Sequence, residues 1–249
     1  MHSRLANAGR TLADTLFPRT CPLCDGLLTV DEDIWCSACA LELGELVAAS
    51  HCPTCGARTG PYTTPDQRCL RCRGQKWAVT WLVRVGPYEE PLRRLILGYK
   101  YRGRHRVDRV LARMLADALR GRGGIEAIDA FVPIPTRSRD PYGWAHHPVA
   151  QVATEVARML DRPSLPILRK RFGVRPQVGL TPPQRRENIR GAFRLRIGAR
   201  PAGATLCLID DVATTGATLD EAGRVLRAAG AREIVSAVIA KADSRLEPR

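Results

Sequence analysis

Four copies of one short motif, Cys-x2-Cys, fill the first third of this 249-residue chain, at Cys21/Cys24, Cys36/Cys39, Cys52/Cys55 and Cys69/Cys72. Spacers of eleven, twelve and thirteen residues separate them. One such knuckle presents two thiolates from a tight turn to a single ion, and zinc takes four ligands in a tetrahedron. Eight cysteines therefore predict two closed four-thiolate zinc sites, most simply Cys21/Cys24/Cys36/Cys39 and Cys52/Cys55/Cys69/Cys72, with an interleaved pairing also open. A closed site has no position for water, so both ions are expected to be structural. A module of this size with few large apolar side chains buries too little surface to fold alone, and metal binding supplies its folding energy.

The cysteines also divide the chain. Past Cys72 there is only Cys207, which sits in an apolar run and reads as an inert core residue. Residues 1–76 are expected to form a helix plus the double ribbon, and residues 77–249 a second domain. Charge divides the same way. Residues 1–76 hold eight Arg/Lys and eight Asp/Glu, so the whole formal excess of +14 lies on residues 77–249. Two stretches concentrate it: 84–122, with eleven bases against four acids, and 158–200, with twelve against two. Such a surface attracts polyanions, which fits a polyphosphate ligand or single-stranded DNA. Aromatic residues are not interleaved with the basic runs, so the stacking platform of a dedicated single-strand binder is not visible. No apolar run approaches the ~20 residues that cross a bilayer, and the N-terminus lacks a leader-like apolar core. A soluble, cytoplasmic protein with no membrane span is the expectation, and in that reducing compartment paired cysteines are metal ligands rather than disulfides.

Periodicity outlines the second domain. Leu5, Ala8, Leu12 and Leu16 first mark a packing helix over 4–17, stopped by Pro18. Then follow a strand at 78–85, helices at 89–100 and 105–120, and a strand from Ala127 that ends at Pro133-Ile134-Pro135. A helix at 147–160 and a strand near 166–169 come next. Residues 170–190, rich in Arg, Pro, Gln and Gly, read as a long mobile loop. The last section is a strand at 204–209, a loop at 210–216, a helix at 217–229 capped by Gly230, and a strand at 232–239. Strand, helix, strand in that order implies a parallel pair, hence an α/β domain.

The loop carries the chemistry. In open α/β sheets ligands bind at the carboxyl ends of the strands, where Asp210 and Asp211 end an apolar run. Ala213, Thr214, Thr215, Gly216, Ala217 and Thr218 then offer successive N–H groups, hydroxyls and a helix N-terminus, a concave anion site. Two acids beside a phosphate cradle ask for a ligand with hydroxyls on one side and a phosphate on the other. A ribose 5-phosphate satisfies both, with Asp210 and Asp211 accepting from the 2′- and 3′-hydroxyls.

A hydrophobic strand, two acids, a hydrophobic residue and Thr-Thr-Gly resemble the signature of type I phosphoribosyltransferases. Nearly the whole chain resembles one branch, the ComF family of bacterial competence-associated proteins. The likeness runs through the paired knuckles, Tyr99-Lys100-Tyr101-Arg102-Gly103, Val132-Pro133-Ile134-Pro135 and Arg185-Arg186-Glu187-Asn188 to Gly191-Ala192-Phe193. It implies the phosphoribosyltransferase fold, a parallel sheet flanked by helices behind an N-terminal double zinc ribbon. It also implies a ligand, phosphoribosyl pyrophosphate, carrying Mg²⁺ on its pyrophosphate oxygens. Asp210 and Asp211 would then serve transfer of the phosphoribosyl group to an acceptor, with release of pyrophosphate. On the same analogy the loop from Pro133 to Arg139 contacts pyrophosphate and residues 170–190 close over the site as a hood. Lys100, Arg137, Arg139, Gln177, Arg185 and Asn188 are the candidates on that side. Where the family has Arg-Gly-aromatic-Asn-Gln, this chain has Tyr142-Gly143-Trp144-Ala145-His146, which leaves His146 and His147 as candidate acid or base. The resemblance also brings a second role, single-stranded DNA held on ribbon and basic face during uptake, with the phosphoribosyl site as a sensor or relic. Proteins on this fold often pair, so a homodimer is a further expectation.

Overall fold

The computed structural model describes residues 19–60, 68–101, 107–135, 148–171 and 182–242, with the side chains of Tyr101, Pro182, Pro183, Arg185 and Arg186 outside that description. The helix expected over 4–17 lies outside the described residues, as do Arg137, Arg139, His146, His147 and Gln177. Two compact units divide between Leu46 and Val47, so the second cysteine cluster falls in the larger unit.

In the smaller unit the first knuckle turns through Asp25, whose φ of 61° is left-handed, and closes with the Cys21 amide donating to the Gly26 carbonyl at 2.8 Å. Helix α1 (Ser37–Val47) begins at the second knuckle. Glu32 caps it, accepting from the Ser37 and Thr29 amides at 2.6 and 2.9 Å.

The larger unit is built on a four-stranded parallel sheet in the order β1 (Leu82–Pro87), β6 (Glu233–Lys241), β5 (Thr205–Ala213), β2 (Ala130–Pro133). Strands buried on both faces read as continuous apolar runs, and Leu206-Cys207-Leu208-Ile209 and Ile234 to Ala240 are of this kind. Helices α2 (Leu92–Tyr101), α3 (Val107–Arg122) and α4 (Pro148–Met159) follow the strands in sequence, and α3 packs on β1 and β6 while α4 packs on β2. Helix α6 (Ala217–Ala228) packs on β5 and β6, placing Leu219, Ala222 and Leu226 with Val132, Leu206, Leu208, Ile234 and Val238 in one cluster. Phe131 and Cys207, alternating with those residues, lie fully buried on the opposite face.

A small antiparallel pair, β3 (Leu168–Lys170) with β4 (Phe193–Leu195), frames the segment expected to be loop. That segment contains helix α5 (Pro182–Ile189), which packs on α6. Its anchor is Ile189, buried in the main cluster. One apolar residue in eight gives no periodicity, which is why the helix reads as loop. A second difference lies in β5, which continues past Ile209 to Ala213 because Val212 and Ala213 keep pairing with Ala240 and Lys241. The two aspartates are strand residues rather than loop residues.

Candidate functional site: an acid pair at the head of a helix N-terminus

Asp210 is 9% exposed, and Asp211 has a side chain 14% exposed. The Asp211 amide donates to Asp210 Oδ1 at 2.9 Å, and the Val212 amide to Asp211 Oδ1 at 2.6 Å. Burial, reinforced by the neighbouring Asp211 carboxylate, pushes the Asp210 carboxyl up to about 8. Two lysines act against that shift, Lys100 at the end of α2 and Lys170 at the end of β3. Lys100 Nζ reaches Asp211 Oδ2 at 2.6 Å. Lys100, a candidate on the pyrophosphate side, is therefore paired directly with the acids. Asn188 lies on α5, half-buried, and the Arg185 backbone lies on the same helix.

After Ala213 the chain turns through Thr214 and Thr215 to Gly216, the residue that starts α6. Gly216 has φ +80°, and no side chain caps the helix from this position. The Ala217 amide is turned to Thr215 Oγ1 at 3.3 Å. First-turn N–H groups have no partner inside their own helix, and together with the helix dipole they make a site for an anion. An acid pair, the lysine bonded to it and the start of α6 thus meet at one sheet edge.

Three residues that sequence patterns did not single out also belong here. Lys170 reads as one base among many, and its charge acts on Asp210 from the end of β3. Lys241 ends an apolar strand and is 2% exposed, with its ammonium donating to the carbonyls of Thr214 at 2.5 Å and Ala242 at 2.7 Å. Trp77 lines a cleft of about 680 Å³ with Gln75, Lys76, Ala217, Asp220 and Arg224. A lysine after an apolar run was the only sequence signal for any of them.

The cysteines form two clusters with sequential pairing, Cys21/Cys24/Cys36/Cys39 and Cys52/Cys55/Cys69/Cys72, each with all sulfurs within 4.8 Å of one another. Sulfur separations of 3.7 Å (Cys24 to Cys36) and 3.6 Å (Cys55 to Cys69) match the edge of about 3.8 Å that a tetrahedron with ~2.3 Å zinc–sulfur bonds requires. The charge balance asks for a cation. In the second cluster a hydrogen bond from Cys55 brings Cys52 down to about 4, while the Cys52 thiolate and burial drive Cys55 up, and burial pushes Cys72 up to about 12. Without a divalent ion the cluster cannot hold four thiolates; zinc removes that obstacle by binding them directly. Cys207 is fully buried and its thiol is pushed up by burial, in keeping with an inert core residue.

Residues 150–249 match the phosphoribosyl transferase domain, and residues 12–74 match the double zinc ribbon domain. Competence protein F of Haemophilus influenzae is 30% identical over 219 residues, covering 86% of this chain and 93% of that protein. The DNA utilization protein YhgH of Salmonella typhi is also 30% identical, over 222 residues, covering 87% and 94% of the two chains. Among solved structures, glutamine phosphoribosylpyrophosphate amidotransferase from B. subtilis is 20% identical, with a TM-score of 0.38, over 57% of this chain and 30% of that one. The fold is the type I phosphoribosyltransferase fold expected from the sequence, with an N-terminal double zinc ribbon.

Proposed function

The chain belongs to the ComF family, that of competence protein F, and on that premise we propose that it binds phosphoribosyl pyrophosphate with Mg²⁺ and transfers the phosphoribosyl group to an acceptor. One observation carries this reading. A largely buried acid pair, with Lys100 bonded to Asp211, stands a short turn ahead of a helix whose N-cap residue, Gly216, has no side chain to close it. This arrangement supports hydroxyl recognition and phosphate recognition side by side.

In this reading the 5-phosphate lies on the N–H groups and hydroxyls from Ala213 to Thr218, where the α6 dipole favours negative charge. Asp210 and Asp211 hold the ribose hydroxyls. Asp210 retains a proton near neutral pH, so it is able to donate to one hydroxyl oxygen as well as accept from another. Lys100 and Lys170, joined by Arg137 and Arg139 from the loop after Pro133, offset the charge of the departing pyrophosphate. Mg²⁺, when bound with the ligand, would supply charge neutralisation to the leaving group, and Asp211 would be the carboxylate to hold it. Transfer forms a bond from the acceptor to C1′ and breaks the bond from C1′ to the pyrophosphate oxygen, whose electron pair leaves with pyrophosphate. Helix α5, with Arg185 and Asn188, and the stretch around Gln177 are the hood that keeps water from C1′.

The test is a screen of nucleobases and amines for pyrophosphate release by the full-length, zinc-loaded chain. Release that needs one acceptor and Mg²⁺, and that disappears with Asp211→Asn, is the expected result. Release that survives Asp211→Asn, or none with any acceptor, counts against transfer.

A second reading draws on the excess charge of residues 77–249 and on relatives that bear the names competence protein F and DNA utilization protein. Here single-stranded DNA is the partner, held by Arg and Lys, and the phosphoribosyl site senses a ligand without turning it over.

A further inference from the structure

The second zinc site lies in the same compact unit as the acid pair, and two continuous routes of contact lead from it to the phosphate loop. We propose that the Cys52–Cys72 knuckle pair is a positioning element for residues 213–218, acting through Trp77 and Lys241. The proposal rests on the reading of that loop as a phosphate cradle.

The first route is Trp77. Five residues after Cys72, it packs against the small cluster of Cys52, Cys55, Ala57 and Cys72. Its ring also lies over Gly216, where an added methyl group would come within 3.2 Å of Cζ3 and 3.5 Å of Cη2. The next residues are fixed to the helix that the loop begins. The Ala78 amide donates to Asp220 Oδ1 at 2.7 Å, and Arg227 donates to the Ala78 carbonyl at 3.3 Å and to Thr80 Oγ1 at 3.2 Å. Trp77 thus contacts both the cysteine cluster and the start of α6.

The second route is Lys241. The knuckle turn is hydrogen-bonded to the sheet, since the Leu82 amide donates to the Pro53 carbonyl at 2.8 Å. Gly56, at φ +70°, brings the turn so close that an added methyl would sit 3.6 Å from Lys241 Cγ and only 2.5 Å from Leu82 Cδ2. The far end of the same lysine holds the Thr214 carbonyl, so the stem that passes the knuckle turn ends at the loop.

These contacts have a consequence because, among the described residues, the ribbon has almost no core of its own. Apart from four sulfur side chains, its cluster there contains Ala57 and part of Trp77. Metal coordination therefore sets the shape of the knuckles, and with it the surface against which Trp77 and Lys241 rest. Such coupling is reciprocal: whatever orders the loop must hold the zinc more tightly.

Amide hydrogen exchange on the full-length, zinc-loaded chain tests this without a ligand. Trp77→Ala is expected to speed exchange of residues 213–219 by about tenfold, leaving β5 up to Ile209 and the centre of β6 unchanged. Trp77→Phe, which keeps a ring over Gly216, should restore most of the protection. Stripping zinc from the second site by chelation should reproduce the alanine effect, whereas Cys24→Ser with Cys36→Ser, which removes the first site, should not. Unchanged protection of 213–219 in both Trp77→Ala and the stripped chain overturns the proposal. Calorimetry with Mg²⁺ and phosphoribosyl pyrophosphate separates the two claims. Loss of loop protection with no binding by the wild type would sink the ligand assignment and leave the coupling standing. Wild-type affinity in Trp77→Ala would sink the coupling and leave the ligand.

Discussion

Asp210 is the residue at which stability and the proposed function oppose each other. Its carboxyl, displaced to about 8, is protonated in the folded chain across a range where the unfolded chain has ionised it. The folded form then binds the extra proton, so this group's contribution is full below the ordinary aspartate range and is lost as pH rises toward 8. Above that value a charge stands buried beside Asp211. Asp210→Asn removes it, and we expect the variant to have a higher Tm than the wild type at pH 9. The gain should shrink as pH falls below 8. Melting curves at pH 6 and 9 check this, and an equal or larger gain at pH 6 would contradict the assigned burial. Lys100, 2.6 Å from Asp211, was legible as a candidate because it stands in the Tyr99 to Gly103 segment; its pairing was not, since nothing in the local sequence joins α2 to β5.

Among the elements, the β5–α6 connection shows most clearly what the sequence can and cannot specify. An apolar run, two acids and Thr-Thr-Gly announce a strand, a turn and a helix start, and α6 begins at the expected Ala217. The end of β5 was misplaced because acids usually leave a sheet, whereas here Ala240 and Lys241 continue the ladder beside Val212 and Ala213. Helix α5 was hidden for the opposite reason: it is polar except for Ile189, and tertiary packing on α6 rather than amphipathic spacing holds it. Gly216 combines two demands, a left-handed φ and a tryptophan ring over its Cα. Gly216→Ala meets both costs and should destabilise the larger unit by about 1–2 kcal/mol, read as a lower urea midpoint. An unchanged midpoint would mean that the turn and Trp77 move aside freely.

At the scale of the whole molecule, cysteine spacing specified two four-ligand sites, and their sequential pairing is the simpler of the two arrangements open to it. The contact between ribbon and loop was not legible, because Trp77 and Lys241 meet residues more than a hundred positions away or in another strand. Net charge favours polyanions as partners and offers no choice among them. If single-stranded DNA binds the basic unit, log affinity should fall linearly with log salt, and an affinity insensitive to salt would exclude phosphate contacts. Among the described residues no helix is long and apolar enough to cross a membrane. The central claim is that the acid pair and the helix start hold phosphoribosyl pyrophosphate, and titration calorimetry of the full-length chain with Mg²⁺ tests it most directly. Saturable binding at one site per chain, lost when Asp210→Asn and Asp211→Asn are combined in a variant that still folds, is the predicted result; no heat from the wild type, or equal binding by the double variant, would contradict it.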